Sequence, residues 1–492
     1  MCEKKLMLGI DIGTSSIKIS VVDNNLKEYY FNSIKYEYET INNEWTEINP
    51  NVWKELLINE LDKIFQCSFA DKISGICPTA QMHTLIFLDE NDLPVRNAIM
   101  WNDRRTKQSI ESLKKALLND LNLIHNSNLI STGSPLANLL WVKEVEKENF
   151  RRIKKVCMCK DYINYIFTGN IVTDYCDAST SCFMDLDKKE WSEEIANYFG
   201  YDIDILPKIQ KSTDIVGILK DEFFKKYSLG KSIPVYTGTG DNAATVLAVK
   251  SFGESSLVLS LGTSGVVLTE SDDLSFYGKN ILFNYGNENP IISQLSLSTG
   301  GKSVDWWFNN ILDTSEYDKE QTFTAEKIKK NEVIFLPFLS GEKYLFKNPN
   351  LSGTFFNLQL GSDRFDLNLA VLEGITFALK ALYNISSDKT KDVENLYVIG
   401  GGAKSESWLK IIADIFQANV YRFNKKIEAV TGACIIGLIG LQEEICVSNK
   451  SKVLFHPDKH LRDHYFSKFE EFNFVLEKMN NIAKEVFEMK QQ

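Results

Sequence analysis

The stretch LVLSLGTSGVVL, Leu257 to Leu268, decides the reading, because the chain has already written it once as LGIDIGTSSIKI, Leu8 to Ile19. Both copies are an apolar run, then Gly-Thr-Ser, then a second apolar run. The two starting points are 249 residues apart, about half of the 492-residue chain. Short apolar runs around a small polar turn spell a β-hairpin that feeds a sheet. A repeat at that distance predicts two α/β lobes of related architecture, each opening with such a hairpin. At 492 residues the chain is long enough for two or three domains with full cores.

The turn itself has a physical use. Gly13 and Gly262 lack a Cβ, so backbone N–H groups there can approach phosphate oxygens. The hydroxyls of Thr14, Ser15 and Thr263 add donors. Two such turns facing each other would grip one polyphosphate from both sides. The copies differ at one telling position, where Asp11 is answered by Ser260. One carboxylate suffices to hold Mg²⁺; a second would repel the phosphates.

Farther along, LYVIGGGAKSESWLKIIADIF reads as a strand, a glycine cluster and an amphipathic helix. Gly400, Gly401 and Gly402 would let a base or ribose lie against backbone at a helix start. YTGTGDNAATVLAV places Asp241 where a strand yields to a helix. That position suits either a helix N-cap or a carboxylate poised over a substrate hydroxyl. The run from Thr79 to Thr106 carries two polar-aromatic clusters, Gln81-Met82-His83 and Trp101-Asn102-Asp103-Arg104, joined by a hairpin. Such a mixture suits a polyhydroxylated ligand; His83 alone, in a strand-like run, reads as a core residue.

Three motifs are set aside. LSTGGKS ends like a Walker A loop, but Ser296 stands where its first glycine belongs. GTGDNA fits the dinucleotide fingerprint, yet no acid follows at the end of the next strand. His456, His460 and His464 recur every four residues, and the intervening proline and charges favour a solvated face over a metal site.

Composition narrows the classes. Apolar residues make up 44% and charged residues 25%, and the net charge is −11 without a basic stripe. That speaks against nucleic acid or an anionic membrane as partner. The nine cysteines are scattered without a CxxC pair, which fits a reduced, cytoplasmic setting. Cys157 and Cys159, in IKKVCMCK, alternate along an expected strand and read as core. The N-terminus offers no signal peptide, and the longest uncharged apolar stretch, Ala429 to Leu441, is too short to span a membrane. No linker separates the halves, so residues 245–254 read as a hinge.

On these residues the chain resembles the FGGY family of carbohydrate kinases, among them most of all the xylulokinases. The matches run in order: DIGTSSIK, QMH at 81–83, AIMWNDRRT at 98–106, TDYCDAS at 173–179, GTGDNAA at 238–244, SLGTSG at 260–265, LPFLSGE at 336–342, LEGITFAL at 372–379, GGGAKSESW at 400–408 and AVTGACIIGL. The resemblance implies an α/β chain of the two-lobed actin-like ATPase (ribonuclease H-like) fold with an inter-lobe cleft. It implies a sugar-binding lobe over 1–246, an ATP-binding lobe over 247–445 and a helical tail over 446–492. Asp241 becomes the catalytic base. Gln81, Met82, His83, Trp101, Asn102, Asp103 and Asn242 become sugar ligands. Gly13, Thr14, Ser15, Lys18, Gly262, Thr263, Gly401, Gly402 and Ala403 fall to ATP, and Asp11 to the metal. The implied reaction moves the ATP γ-phosphate to O5 of D-xylulose, with Mg²⁺. Gluconate, L-xylulose and ribulose are the competing substrates, and a non-sugar actin-like ATPase is the competing class. A homodimer is compatible with the resemblance. Two departures bear on the sugar: Asn138 stands where the family's first signature has lysine, and GEKYLFKNPN replaces a GERTPHNDPN-like stretch.

Overall fold

The computed structural model describes residues 5–42, 44–251, 257–271, 279–317, 323–386, 393–423, 428–446 and 452–490. Residues 252–254 of the expected hinge lie outside the described residues. The chain forms two compact units that interleave along the sequence. The first joins Met1–Phe252, Lys279–Ile291 and Ile427–Ser448; the second joins Gly253–Gly278, Ile292–Lys426 and Asn449–Gln492.

In the first unit the opening hairpin forms as expected. Strand Leu6–Ile12 pairs antiparallel with Ser16–Val22, and Asp11 stands opposite Lys18. The strand Ile73–Ala80 joins parallel to Leu6–Ile12, and Pro234–Tyr236 joins parallel to Ile73–Ala80. Ile215–Ile218 closes that edge antiparallel, while Glu28–Lys35 closes the other. Every residue of Leu6–Ile12 is buried, because both faces of the sheet are covered. Side chains alternate along a strand. Leu6, Leu8, Ile10 and Ile12 share a core with Trp53, Leu57 and Leu61 of the helix Pro50–Ile64. On the opposite face Gly9 lies under the helix Ala429–Gly440, where a Cβ would sit 2.4 Å from the Cys434 sulfur. That helix is the uncharged apolar stretch of the sequence. Its residues pack in the first unit, and among the described residues no helix is long and apolar enough to cross a membrane.

The helix Asp241–Lys250 packs on Ala429–Gly440, and Gly432 sets their closest approach. A Cβ there would stand 1.9 Å from the carbonyl oxygen of Ala244. Gly432→Ala therefore forces these helices apart. Overpacking of this kind costs about 1–3 kcal/mol or more, to be seen as a lower midpoint of denaturant unfolding.

The second unit repeats the plan. Leu257–Leu261 pairs antiparallel with Gly265–Ser271 and parallel with Asn395–Ile399. Asn419–Phe423 follows parallel, and Lys452–Phe455 antiparallel. Beyond the opening hairpin both sheets thus run parallel, parallel, antiparallel. Their last two strands, however, enter in opposite chain order. The turns are not copies either. Gly13 N–H reaches Ser16 O (2.9 Å), whereas Gly262 N–H reaches Ser264 O (3.1 Å), one residue sooner. The core of this unit gathers on the helices Arg364–Ser386, Glu406–Phe416 and Arg462–Met489.

Two local expectations change. IKKVCMCK is a strand only over Lys155–Met158; Cys159 opens the helix Cys159–Thr168. Both cysteines are nonetheless buried, as expected of core residues, and none of the eight described cysteines is bridged. His83 is not in a strand. It sits between Ile73–Ala80 and Leu85–Leu88 at φ +71°, a conformation rare outside glycine.

Candidate active site

In the first unit the acid of the first copy meets the acid of GTGDNA. Asp11 is 4% exposed, with its Oδ2 3.7 Å from the Lys18 ammonium, which lies 3.2 Å from Glu428 Oε1. Burial pushes the Asp11 carboxyl up to about 7; Lys18 opposes the rise, and the charges of Asp241 and Glu428 add to it. Asp241 is the first residue of its helix, but the cap is Gly240, so its carboxylate does not serve as the N-cap. The N-cap alternative is thereby removed.

The expected sugar residues gather around the same strand ends. Gln81 N–H donates to Ile12 O at 2.8 Å, continuing the pairing of the first sheet. A Cβ on Gly240 would meet Met82 Cγ at 2.6 Å and Cys176 Sγ at 3.0 Å. Asn242 Nδ2 lies 3.7 Å from the Met82 sulfur. Gln81 is 3% exposed and neither of its amide atoms has a partner; Asn102 Oδ1 is likewise buried and unpaired. Buried polar atoms without partners are costly. Trp101, 46% exposed, donates from its indole nitrogen to the Thr14 hydroxyl at 3.0 Å, which links the second cluster to the first turn. That turn is held from behind by Tyr36, whose hydroxyl donates to Gly13 O and whose N–H donates to Ser15 O at 3.1 Å.

Asp103 behaves differently from its neighbours. Its Oδ1 accepts from Arg105 N–H (2.8 Å) and Nε (2.9 Å); its Oδ2 accepts from Thr46 N–H (2.6 Å) and Arg105 Nη2 (2.8 Å). Arg105 in turn lies against the rings of both Trp45 and Trp141, 4.6 and 4.7 Å from their centres. With both oxygens committed, Asp103 braces the loop that presents Trp101 and Asn102. Asp103→Ala would leave a buried guanidinium short of a partner and should destabilise the protein by about 3–5 kcal/mol. Chemical denaturation measures this; a change confined to sugar KM would instead make Asp103 a direct ligand.

In the second unit, Gly262 and Thr263 form one wall of a small glycine cluster. Gly301 N–H donates to Gly262 O (2.8 Å) and Lys302 N–H to Thr263 O (3.1 Å). The Walker-like GGKS thus spends its amides on the SLGTSG turn. Gly400 takes φ +90° and abuts Leu261 O, and a Cβ on Gly402 would strike Leu261 and Trp408 at 2.7 Å. At Gly401 and Gly262, by contrast, a Cβ would meet nothing nearer than 3.9 and 3.8 Å. Packing demands glycine at the first pair; the second pair leaves room for an outside molecule. The cluster does not open the helix directly. Gly401–Lys404 is a short 3₁₀ turn with Ala403 inside it, and Ser405 caps the helix Glu406–Phe416.

Several charged residues here have no role in the sequence reading, although Asp174 and Asp177 lie within the TDYCDAS match. Glu428 lies beside Lys18. Lys160, Asp161, Asp174 and Asp177 form a buried cluster near Asp241. Their signal was available as charged letters, Lys160-Asp161, inside the otherwise apolar helix CKDYINYIF. Among the described residues no three His, Cys, Asp or Glu side chains converge as a metal cage. His456 instead faces Asn419 Oδ1 at 2.9 Å.

Comparison with known proteins decides the family. The N-terminal domain of the FGGY family of carbohydrate kinases matches residues 6–248, and its C-terminal domain matches residues 257–441. The chain belongs to the FGGY family. It is a sugar kinase with the actin-like ATPase fold. It is 33% identical to a xylulose kinase from Lactococcus lactis, over 88% of this chain and 87% of that one. A xylulose kinase structure from Brucella ovis shares 25% identity at a TM-score of 0.86, covering 97% of this chain and all (100%) of its own. A gluconate kinase from Lactobacillus acidophilus has the same fold at TM-score 0.86, with 22% identity over 98% and 100% of the two chains. FGGY membership sets aside the non-sugar ATPase reading and leaves the sugar to be argued.

Proposed function

We propose that the protein transfers the γ-phosphate of ATP to O5 of D-xylulose, giving D-xylulose 5-phosphate. The observation that carries the chemistry is the placement of Asp241, at a helix start capped by Gly240 and beside Met82 and Asn242. Its carboxylate accepts the hydroxyl proton, late in a largely dissociative transfer. Gln81, Met82, His83, Trp101, Asn102 and Asn242 hold the sugar. The unpaired amide of Gln81 and carbonyl of Asn102 supply acceptors and donors for its hydroxyls. Gly13, Thr14, Ser15, Lys18, Gly262 and Thr263 hold the phosphates, and Gly401, Gly402 and Ala403 lie at the nucleoside. The room left at Gly262 and Gly401 supports this assignment.

Magnesium fits the residues present. Asp11 is buried beside two further acids with Lys18 as counter-charge, so a divalent cation would relieve surplus negative charge. Asp11 would hold it together with phosphate oxygens, and the ion would neutralise charge on the transferring group.

The identity with xylulose kinases supports D-xylulose as the acceptor; the likeness to a gluconate kinase keeps an aldonate in view. A coupled ADP-release assay over D-xylulose, L-xylulose, ribulose and gluconate separates them. The expected result is the highest kcat/KM with D-xylulose; preference for gluconate would replace the ketose reading.

A further inference from the structure

Beneath the strand end that delivers Asp241 lies a cluster to which phosphoryl transfer has so far assigned no task. Lys160 is fully buried in the helix Cys159–Thr168. Its ammonium lies 2.6 Å from Asp161 Oδ1, 3.3 Å from Asp174 Oδ1 and 3.6 Å from Asp177 Oδ2. Three carboxylates and one ammonium withdrawn from water are an expensive way to fill a core, and apolar residues would do it at less cost. What the cluster holds gives the reason. Asp174 Oδ2 accepts from the Thr239 hydroxyl at 2.7 Å and from the Ser212 hydroxyl at 3.1 Å. Its two oxygens also accept the N–H groups of Cys176 and Asp177, at 3.2 and 3.3 Å, and so cap the helix Tyr175–Thr180. Thr239 is held from the other side, since its carbonyl accepts from the Thr79 hydroxyl at 2.7 Å. Thr239 and Gly240 pair with Thr79 and Ala80, and the next residue is Asp241.

We propose that Lys160 is a positioning residue for phosphoryl transfer: through Asp174 and the Thr239 hydroxyl it fixes the strand end carrying Asp241, and its charge offsets the buried carboxylates beside that acid. This deepens the proposed function and rests on Asp241 being the base. Several groups face Lys160: Asp161 from its own helix, Asp174 and Asp177 from the segment that follows, and the Cys77 and Cys157 thiols from the neighbouring strands. Asp241 is felt by Asp177 and by Asp11, the latter with Lys18 and Glu428 at its side. Burial holds the Asp177 carboxyl well above the usual range, Lys160 opposes this, and Asp174, Asp161 and Asp241 reinforce it.

Three variants of the full chain test the inference, with Asp241→Ala as control. Thr239→Val removes one hydroxyl and keeps the shape; kcat should fall about tenfold while both KM values stay within about twofold. Lys160→Met removes the charge that anchors Asp174; kcat should fall about tenfold or more while both KM values stay within about twofold. Lys160→Arg, which keeps the charge, should return kcat toward its original value. Normal kcat in Thr239→Val, or a Lys160→Met enzyme that is less stable but has an unchanged kcat, overturns the proposal and leaves the cluster purely structural. Should Lys160→Met not fold, Thr239→Val alone decides. Normal turnover in Asp241→Ala would instead remove the base assignment, a failure distinct from that of this inference.

Discussion

Asp241→Ala is expected to lower sugar phosphorylation by at least about a hundredfold while ATP still binds. A positioned base is worth about 10²–10⁴-fold, or roughly 3–5 kcal/mol of barrier. The remaining acceleration comes from alignment and charge neutralisation on the phosphate, which the substitution leaves in place. ATP binding should persist because the residues assigned to ATP, at Gly13–Ser15, Gly262–Thr263 and Gly401–Ala403, are untouched. Asp241→Asn should lose as much as Asp241→Ala, since it keeps the shape and removes only the proton acceptor. ADP release with and without sugar, alongside calorimetric ATP binding, makes the measurement. Near-normal turnover in either variant would take Asp241 out of the chemistry.

Lys468→Ala should strongly destabilise the second unit. Lys468 is 4% exposed; its ammonium lies 2.6 Å from Glu373 Oε2 and donates to Asn331 O at 2.7 Å. Through that pair the C-terminal helix Arg462–Met489 is bound to the helix Arg364–Ser386. Removing one partner of a buried pair costs about 3–5 kcal/mol, because the other charge is left unmatched. The double variant Lys468→Met/Glu373→Gln should recover much of the loss. The deficit also depends on pH. Burial raises the Glu373 carboxyl and Lys468 opposes the rise; without Lys468 it goes higher. A carboxyl raised in the folded state contributes stability below its unfolded value and loses it as pH rises through the folded value. The variant should therefore lie closer to wild type at pH 5 than at pH 8. A deficit independent of pH would show that packing, and not charge, accounts for the loss.

Much of the fold was legible because it rests on local pattern. The hairpins at Leu6–Val22 and Leu257–Ser271 follow from apolar runs around a small turn. The helix Pro50–Ile64 follows from Asn49 as cap and Pro50 in its first turn. His83 was misplaced because Met82-His83 continues an apolar run by composition, while the backbone there turns through φ +71°. Cys159 was misplaced because a buried strand and a buried helix start look alike over a few letters. Asp103 illustrates the limit for sites. Its place beside Trp101, Asn102 and Arg105 could be read from the letters, but Thr46, whose N–H its Oδ2 accepts, and Glu47, which shares Arg105 with it, come near only on folding.

The amino-acid order alone established the repeated hairpin and the family, since each depends on short runs of neighbouring letters. Folding was needed to show that Ile427–Ser448 returns to the first unit and sets Glu428 beside Lys18. It was needed again to gather Lys160, Asp174 and Thr239 under Asp241 from positions far apart in the chain. The physical reason is range: backbone propensity and side-chain periodicity act over a few residues, whereas pairing of buried charges depends on distances in space that no local pattern encodes.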